Sequence, residues 1–145
     1  MRLVIQRVIS AVLSVDGRSV SRTGKGLIAY IGVGKGDEEK ACEVAARKIT
    51  SLRIFSDDAG KMNLSLSDIN GEAMLVSQFT LYGDARKGNR PSFTEAELPE
   101  RAKALYDRVC ELTEAAGIKV GRGIFGADMC IDQVCDGPVT IILDI

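Results

Sequence analysis

The chain contains no histidine and no tryptophan, only three prolines, and 5% aromatic residues. Without histidine, Ser-His-Asp and Cys-His triads are excluded, as is any zinc site built on imidazole. Acid–base or nucleophilic chemistry is left to carboxylates, lysine, backbone amides or the substrate itself. The four cysteines, Cys42, Cys110, Cys130 and Cys135, form no CxxC pair. Cys42 and Cys110 fall in helical patterns and read as packing residues, while Cys130 and Cys135 would face opposite sides of one regular strand. Reduced structural thiols are expected, with no metal and no cofactor. An excess of one charge is missing too: 19 Lys and Arg stand against 20 Asp and Glu. Nucleic acid would therefore need a local basic footprint. Long apolar runs are also lacking. The longest, "GLIAYIGVG" at 26–34, is far too short for a bilayer, and Arg2 and Arg7 interrupt any signal-peptide pattern. A soluble, cytoplasmic protein is expected.

What is present reads as one domain over 1–145, long enough to bury about 70% of its unfolded surface. "RLVIQRVISAVLSV" (2–15) is a strand pattern, followed by an Asp16-Gly17 turn signal. Strands near 18–23 and 26–33 then suggest a β-meander. Asp37 is placed to cap a helix over about 38–51, with Ala41, Ala45, Ile49 and Leu52 as its inner stripe. "SLRIF" reads as a short strand before the polar turn "SDDAGKMN", and a further strand is expected over 72–81. From Pro99 an amphipathic helix runs to about Ala116 and stops at Gly117, burying Ala102, Leu105, Tyr106, Val109 and Thr113. The last third, 118–145, is strand-like and broken by "GRGIFGAD" and "DGP". The fold class is α/β: a single domain with a mixed, barrel-like sheet and two main helices on one face, a three-layer α/β/β arrangement.

"GVGKGDEEK" (32–40) follows a strand and opens a helix, yet fails both phosphate-loop patterns. A dinucleotide fingerprint needs glycine where Asp37 stands; a Walker loop needs glycine at Ala29 and Ser or Thr at Gly36. A tight strand-to-helix turn accounts for it.

Two motifs remain. In "LVSQFTLYG" (75–83) an apolar strand pattern is interrupted by Ser77, Gln78 and Thr80. Strand alternation points Gln78 and Thr80 the same way, beside a loop carrying Arg86, Lys87 and Arg90, with Asp84 offsetting part of the charge. Such a place suits a phosphate-bearing ligand, but on local pattern alone strand pairing and a solvated loop are the favoured account. In "CDGPVTIILDI", Val139, Ile141, Leu143 and Ile145 alternate as a buried face, with Gly137-Pro138 as a turn at its entry.

Together with "QRV" (6–8), "RIFSDDAGKMNLS" (53–65), "RPSF" (90–93) and "GIFGADM" (123–129), these motifs resemble the D-aminoacyl-tRNA deacylase family over the whole chain. Cys135 and Gln133 depart from the family pattern, where asparagine and an apolar residue are usual. The resemblance implies an ester hydrolase that frees tRNA from D-amino acids, working as a homodimer with active sites at the interface. It implies that Ser77, Gln78, Phe79 and Thr80 form the catalytic pocket, and that Gly137 and Pro138 of the other subunit enter it as a cis dipeptide selecting chirality. Arg7 would support that dipeptide, Met129 would line the pocket, and Arg86, Lys87 and Arg90 would contact tRNA. A non-catalytic nucleic-acid-binding dimer is the competing reading. A Thr-dependent peptidase is a weak third, since Thr80 is internal and lacks an activating amine.

Overall fold

Strand β1 (Arg2–Val15) is the element to which the rest of the sheet attaches. The computed structural model describes residues 1–145. At 14 residues β1 is about 45 Å long, enough to pair with two shorter strands end to end. Its first half, Arg2–Val8, runs antiparallel to β3 (Gly26–Gly32), and its second half, Ala11–Val15, antiparallel to β2 (Arg18–Thr23). The C-terminal strand β8 (Cys130–Asp144) covers its other edge along almost the whole length. The expected meander is therefore corrected. The three strands occur, but β2 and β3 both pair with β1, end to end along one edge, and not with each other.

Beyond β3 the sheet becomes parallel. β6 (Glu72–Ser77) pairs with β3, and β7 (Lys119–Arg122) pairs with β6. Each parallel step needs a crossover, supplied by helices α1 (Glu39–Ser51) and α2 (Pro99–Ala115). Central parallel strands are covered on both faces, which is why "AMLV" of β6 is wholly buried rather than alternating. Ala73 and Leu75 join the helix-side core with Leu3, Ile5, Cys42, Ile49, Tyr106 and Val109. Met74 and Val76 join a second, smaller core with Val8, Ala11, Leu13 and Ile28 inside the curl of the sheet. A mixed, barrel-like sheet with both helices on one face results. The one-residue shift in β1 between Val8 and Ser10 is what carries Ala11 and Leu13 to the same side as Val8.

The remaining pieces are small. "SLRIF" yields a strand only at β4 (Phe55–Ser56), paired with β5 (Met62–Leu64). Asp57 ties the connecting turn by accepting from Ala59 and Lys61 N–H at 3.0 and 2.9 Å. Pro99 opens α2 as expected, and Gly117 (φ +86°) follows its end. Asp37 does not cap α1. Its carboxylate accepts from Gly34 N–H at 2.7 Å and pairs at 2.5 Å with the buried N-terminal ammonium, a stronger partner than a helix N–H. That ammonium also donates to Ile145 O at 2.8 Å, and Ile145 N–H returns a bond to Met1 O. Asp37→Ala leaves a largely buried cation without its counter-charge. We expect a loss of about 3–5 kcal/mol in urea unfolding; a loss below about 1 kcal/mol, the scale of an exposed pair, contradicts the assignment.

Candidate active site

The irregularity in β8 displays the Gly137–Pro138 motif. Gln6 pairs with Thr140 and Val8 with Cys135, so β8 advances five positions while β1 advances two. The surplus residues, Asp136 to Val139, bulge from the ladder. Strand β8 is thus continuous through "DGP", not broken by it, and accommodates the motif as a bulge. Gly137 has φ +123°, a conformation side chains disfavour, and the Gly137–Pro138 peptide is cis. Both residues are exposed, while Val139 packs on the core.

Arg7 fixes the base of this bulge. It projects from β1 with its side chain only 10% exposed. Nη1 donates to Ile54 O at 2.6 Å, and Nε to Asp136 O at 3.2 Å and Asp136 Oδ2 at 3.0 Å. A side chain added at Gly137 would meet Arg7 Nη2 at 3.2 Å and Val139 at 3.0 Å. Beside it, Gln133 forms a polar chain rather than an apolar contact. It accepts from Tyr30 OH at 3.1 Å and donates to Gln6 Oε1 at 2.8 Å, with Cys135 Sγ at 3.2 Å.

The other feature is an open pocket of about 700 Å³, large enough for a small-molecule ligand. Ser77, Gln78 and Phe79 line one wall. The β7–β8 loop, Phe125 to Met129, lines another, and the start of α2 (Leu98, Pro99, Ala102) with Tyr106 and Phe93 closes the remainder. Strand β6 stops at Ser77, short of the expected 81, because Gln78 turns away (φ −145°, ψ 83°) into a single 3-10 turn, Phe79–Tyr82. Strand alternation therefore does not apply to Gln78 and Thr80. They still meet, through a hydrogen bond from Gln78 Nε2 to Thr80 Oγ1. Gln78 N–H bonds Ile31 O at 2.8 Å, and the first N–H groups of the turn, on Phe79 and Thr80, have no backbone acceptor. Phe79, 58% exposed, packs edge-on against Phe93 at 5.1 Å.

The pocket thus gathers Ser77, Gln78, Phe79 and Met129. Thr80 stands just outside its lining, and Arg7, Gly137 and Pro138 are not part of it. On the loop, Arg86 is held by Asp84 through Nε at 2.9 Å and Nη2 at 2.8 Å, and these bonds pull the Asp84 carboxyl down to about 2. Lys87 and Arg90 remain exposed. Sequence reasoning missed Tyr106, Phe93 and Phe125 as walls, because in pattern they are indistinguishable from core residues. Tyr106 donates to Leu75 O at 2.8 Å, beneath the pocket floor, and burial raises its hydroxyl pKa beyond any use as an acid.

These features define a class: a barrel-like mixed sheet bearing an apolar pocket with a polar strand end and no imidazole. The family model for D-Tyr-tRNA(Tyr) deacylase matches residues 4–144. A protein of Thermotoga petrophila named D-aminoacyl-tRNA deacylase is 55% identical over 144 residues, covering 99% of this chain and 97% of that one. A Myxococcus xanthus protein of the same name is also 55% identical, covering 99% and 94%. Among solved structures, one titled c-Myc DNA Unwinding Element Binding Protein superposes with a TM-score of 0.94 at 37% identity, covering 100% of this chain and 99% of that one. A probable eukaryotic D-amino acid tRNA deacylase shares the fold, with a TM-score of 0.87 at 21% identity over 99% and 98% of the two chains. The chain belongs to the D-aminoacyl-tRNA deacylase family.

None of the buried thiols competes as a nucleophile. Burial pushes both Cys42 and Cys110 up to about 11, so each stays protonated, and unreactive, below that pH. Iodoacetamide at pH 8 is expected to spare both in the folded protein, as read by peptide mass mapping. Alkylation of either at the rate seen in denaturant contradicts this placement.

Proposed function

We propose that the chain hydrolyses the ester of D-aminoacyl-tRNA, the reaction its family membership supplies, in a pocket completed by a second copy of itself. The single observation that carries the shared-site reading is that Gly137–Pro138 is exposed on a rigidly held bulge, away from the pocket of its own chain. Ile142 and Val134, 66% and 53% exposed on the same strand, offer an apolar surface for that second copy. In the dimer, the dipeptide of one subunit enters the other's pocket opposite Ser77–Thr80 and presents backbone carbonyls to the aminoacyl group. The reaction then takes place in the cytoplasm on tRNA, with Lys87 and Arg90 as further phosphate contacts.

An aminoacyl ester is already activated, so an oriented water and a stabilised oxyanion suffice. Water adds to the ester carbonyl, the N–H groups of Phe79 and Thr80 receive the developing negative charge, and the C–O bond to ribose breaks. The proton from water returns to the departing ribose oxygen, with the adjacent 2′-hydroxyl as relay. Each N–H aimed at an oxyanion is worth roughly 3 kcal/mol. Thr80 has no base to activate it; its hydroxyl accepts from Gln78 and positions the turn. Carbonyls that clash with an L side chain ignore a D side chain of any size and find nothing to reject in glycine. Broad D-specificity with residual action on glycyl-tRNA follows.

The alternative, a nucleic-acid-binding module without catalysis, draws on the structural neighbour called c-Myc DNA Unwinding Element Binding Protein. Hydrolysis assays separate the two. Purified protein is expected to deacylate D-tyrosyl-tRNA and leave L-tyrosyl-tRNA intact, with no covalent aminoacyl-Thr80 adduct on rapid quench. Gly137→Ala, strained at φ +123° and crowded by Arg7, is expected to lower kcat/KM about a hundredfold or more by misplacing the dipeptide. Equal hydrolysis of both enantiomers, or full activity in Gly137→Ala, contradicts the reading.

A further inference from the structure

A second concave surface lies at the far end of α1. Arg47, Lys48, Ser51, Leu52 and Arg53 line a groove of about 250 Å³, so three of its five residues are cationic. All three cations are exposed. Arg2, Arg86, Arg101, Arg108 and Arg122 each hold a carboxylate. The groove cations hold none. Arg53 donates from Nη1 to Asn63 Oδ1 at 3.3 Å, and its charge also acts on the Asp68 carboxylate without a direct ion pair. A helix C-terminus favours a cation in its last turn, which accounts for Lys48. It does not account for Arg53, which stands beyond the helix end and still turns its charge into the same concavity.

The groove's position gives it a purpose. Ile54 follows Arg53 directly, and its carbonyl is bonded by the same guanidinium that bonds Asp136 O. Arg53, at the edge of the groove, is therefore one residue away from the buried contact that also holds the base of the Gly137–Pro138 bulge. In the shared-site reading, the dipeptide that enters a partner's pocket brings this charged end of α1 toward the same pocket. The aminoacyl end of the substrate occupies the pocket, so the nucleotides leading to it must pass the mouth. We infer that Arg47, Lys48 and Arg53 form a phosphodiester-binding groove. It holds the sugar–phosphate backbone of the tRNA strand whose 3′ end lies in the partner's pocket. The inference rests on the shared-site reading above and adds to it a specific charged surface, supplied in trans with the dipeptide. Contacts of this kind read no sequence and depend strongly on salt.

The test compares wild type with Arg47→Gln/Lys48→Gln, and with the triple variant adding Arg53→Gln. The double variant leaves the Arg53–Asn63 bond untouched, so it guards against local unfolding. Three measurements are made between roughly 50 and 200 mM salt: binding of uncharged tRNA, hydrolysis of D-tyrosyl-tRNA, and hydrolysis of the D-tyrosyl ester of adenosine alone. For the double variant, the slope of log affinity for tRNA against log salt is expected to become shallower by about 2, one unit per lost phosphate contact. KM for D-tyrosyl-tRNA should rise about tenfold or more at low salt with kcat retained, and hydrolysis of the adenosine ester should not change. An unchanged salt slope overturns the inference, as does an equal loss on tRNA and on the adenosine ester. If the wild type hydrolyses neither ester, the deacylase reading alone fails, and the uncharged-tRNA slope still decides whether the groove binds phosphate.

Discussion

One buried guanidinium organises the molecule around its site. Arg7 enters from the central strand and reaches Ile54 O at 2.6 Å on one side and Asp136, by both its carbonyl and its carboxylate, on the other. A cation taken out of water in this way needs compensation, and Ile54 O and the carbonyl and carboxylate of Asp136 supply it. The surplus residues of β8 have no ladder partner to hold them, so their shape depends on this contact. Without it, Gly137 and Pro138 would be a loose loop in an exposed strand. With it, they are a preformed projection, and the proposed recognition of substrate by backbone position requires such rigidity.

The sheet explains why that projection sits where it does. Strand β1 supports two cores, and the shift between Val8 and Ser10 moves its buried side from one to the other. Arg7 lies at this changeover, where neither core claims the position for an apolar side chain. The polar chain through Tyr30, Gln133, Gln6 and Thr140 occupies the same band of the sheet. Gln133 therefore packs as a satisfied hydrogen-bonding residue. At the other end of the sheet, β6 runs out of pairing at Ser77, and its chain turns into the pocket. Two interruptions of one sheet thus make the two halves of the proposed shared site.

Much of this was legible in the sequence, and the failures share a cause. Helices α1 and α2 followed from their apolar stripes and from Pro99, and the interrupted strand at Ser77–Thr80 was visible as polar residues where apolar ones belong. Periodicity reports which face a residue takes while pairing lasts, but not where pairing ends. The strand was therefore drawn four residues too long, and Gln78 and Thr80 were placed by an alternation that had already stopped. "DGP" read as a turn because composition cannot distinguish a turn from a bulge; only the register against β1 does. Asp37 went to the N-terminal ammonium instead of α1, a partner separated from it by 36 positions and invisible to local pattern. Tyr106, Phe93 and Phe125 look the same in sequence whether they fill a core or wall a pocket.

The central claim is that neither half of the site works within one chain. It is tested most directly by mixing two inactive variants, one with its pocket filled by Gln78→Trp and one with its projection disabled by Gly137→Ala. In a dimer with shared sites, each mixed pair holds one intact pocket facing one intact dipeptide. Dissociation and reassociation of an equal mixture should restore D-tyrosyl-tRNA hydrolysis to about a quarter of wild type, since half the dimers are mixed and each has one of two sites. Activity that stays at the level of the separate variants would contradict the account.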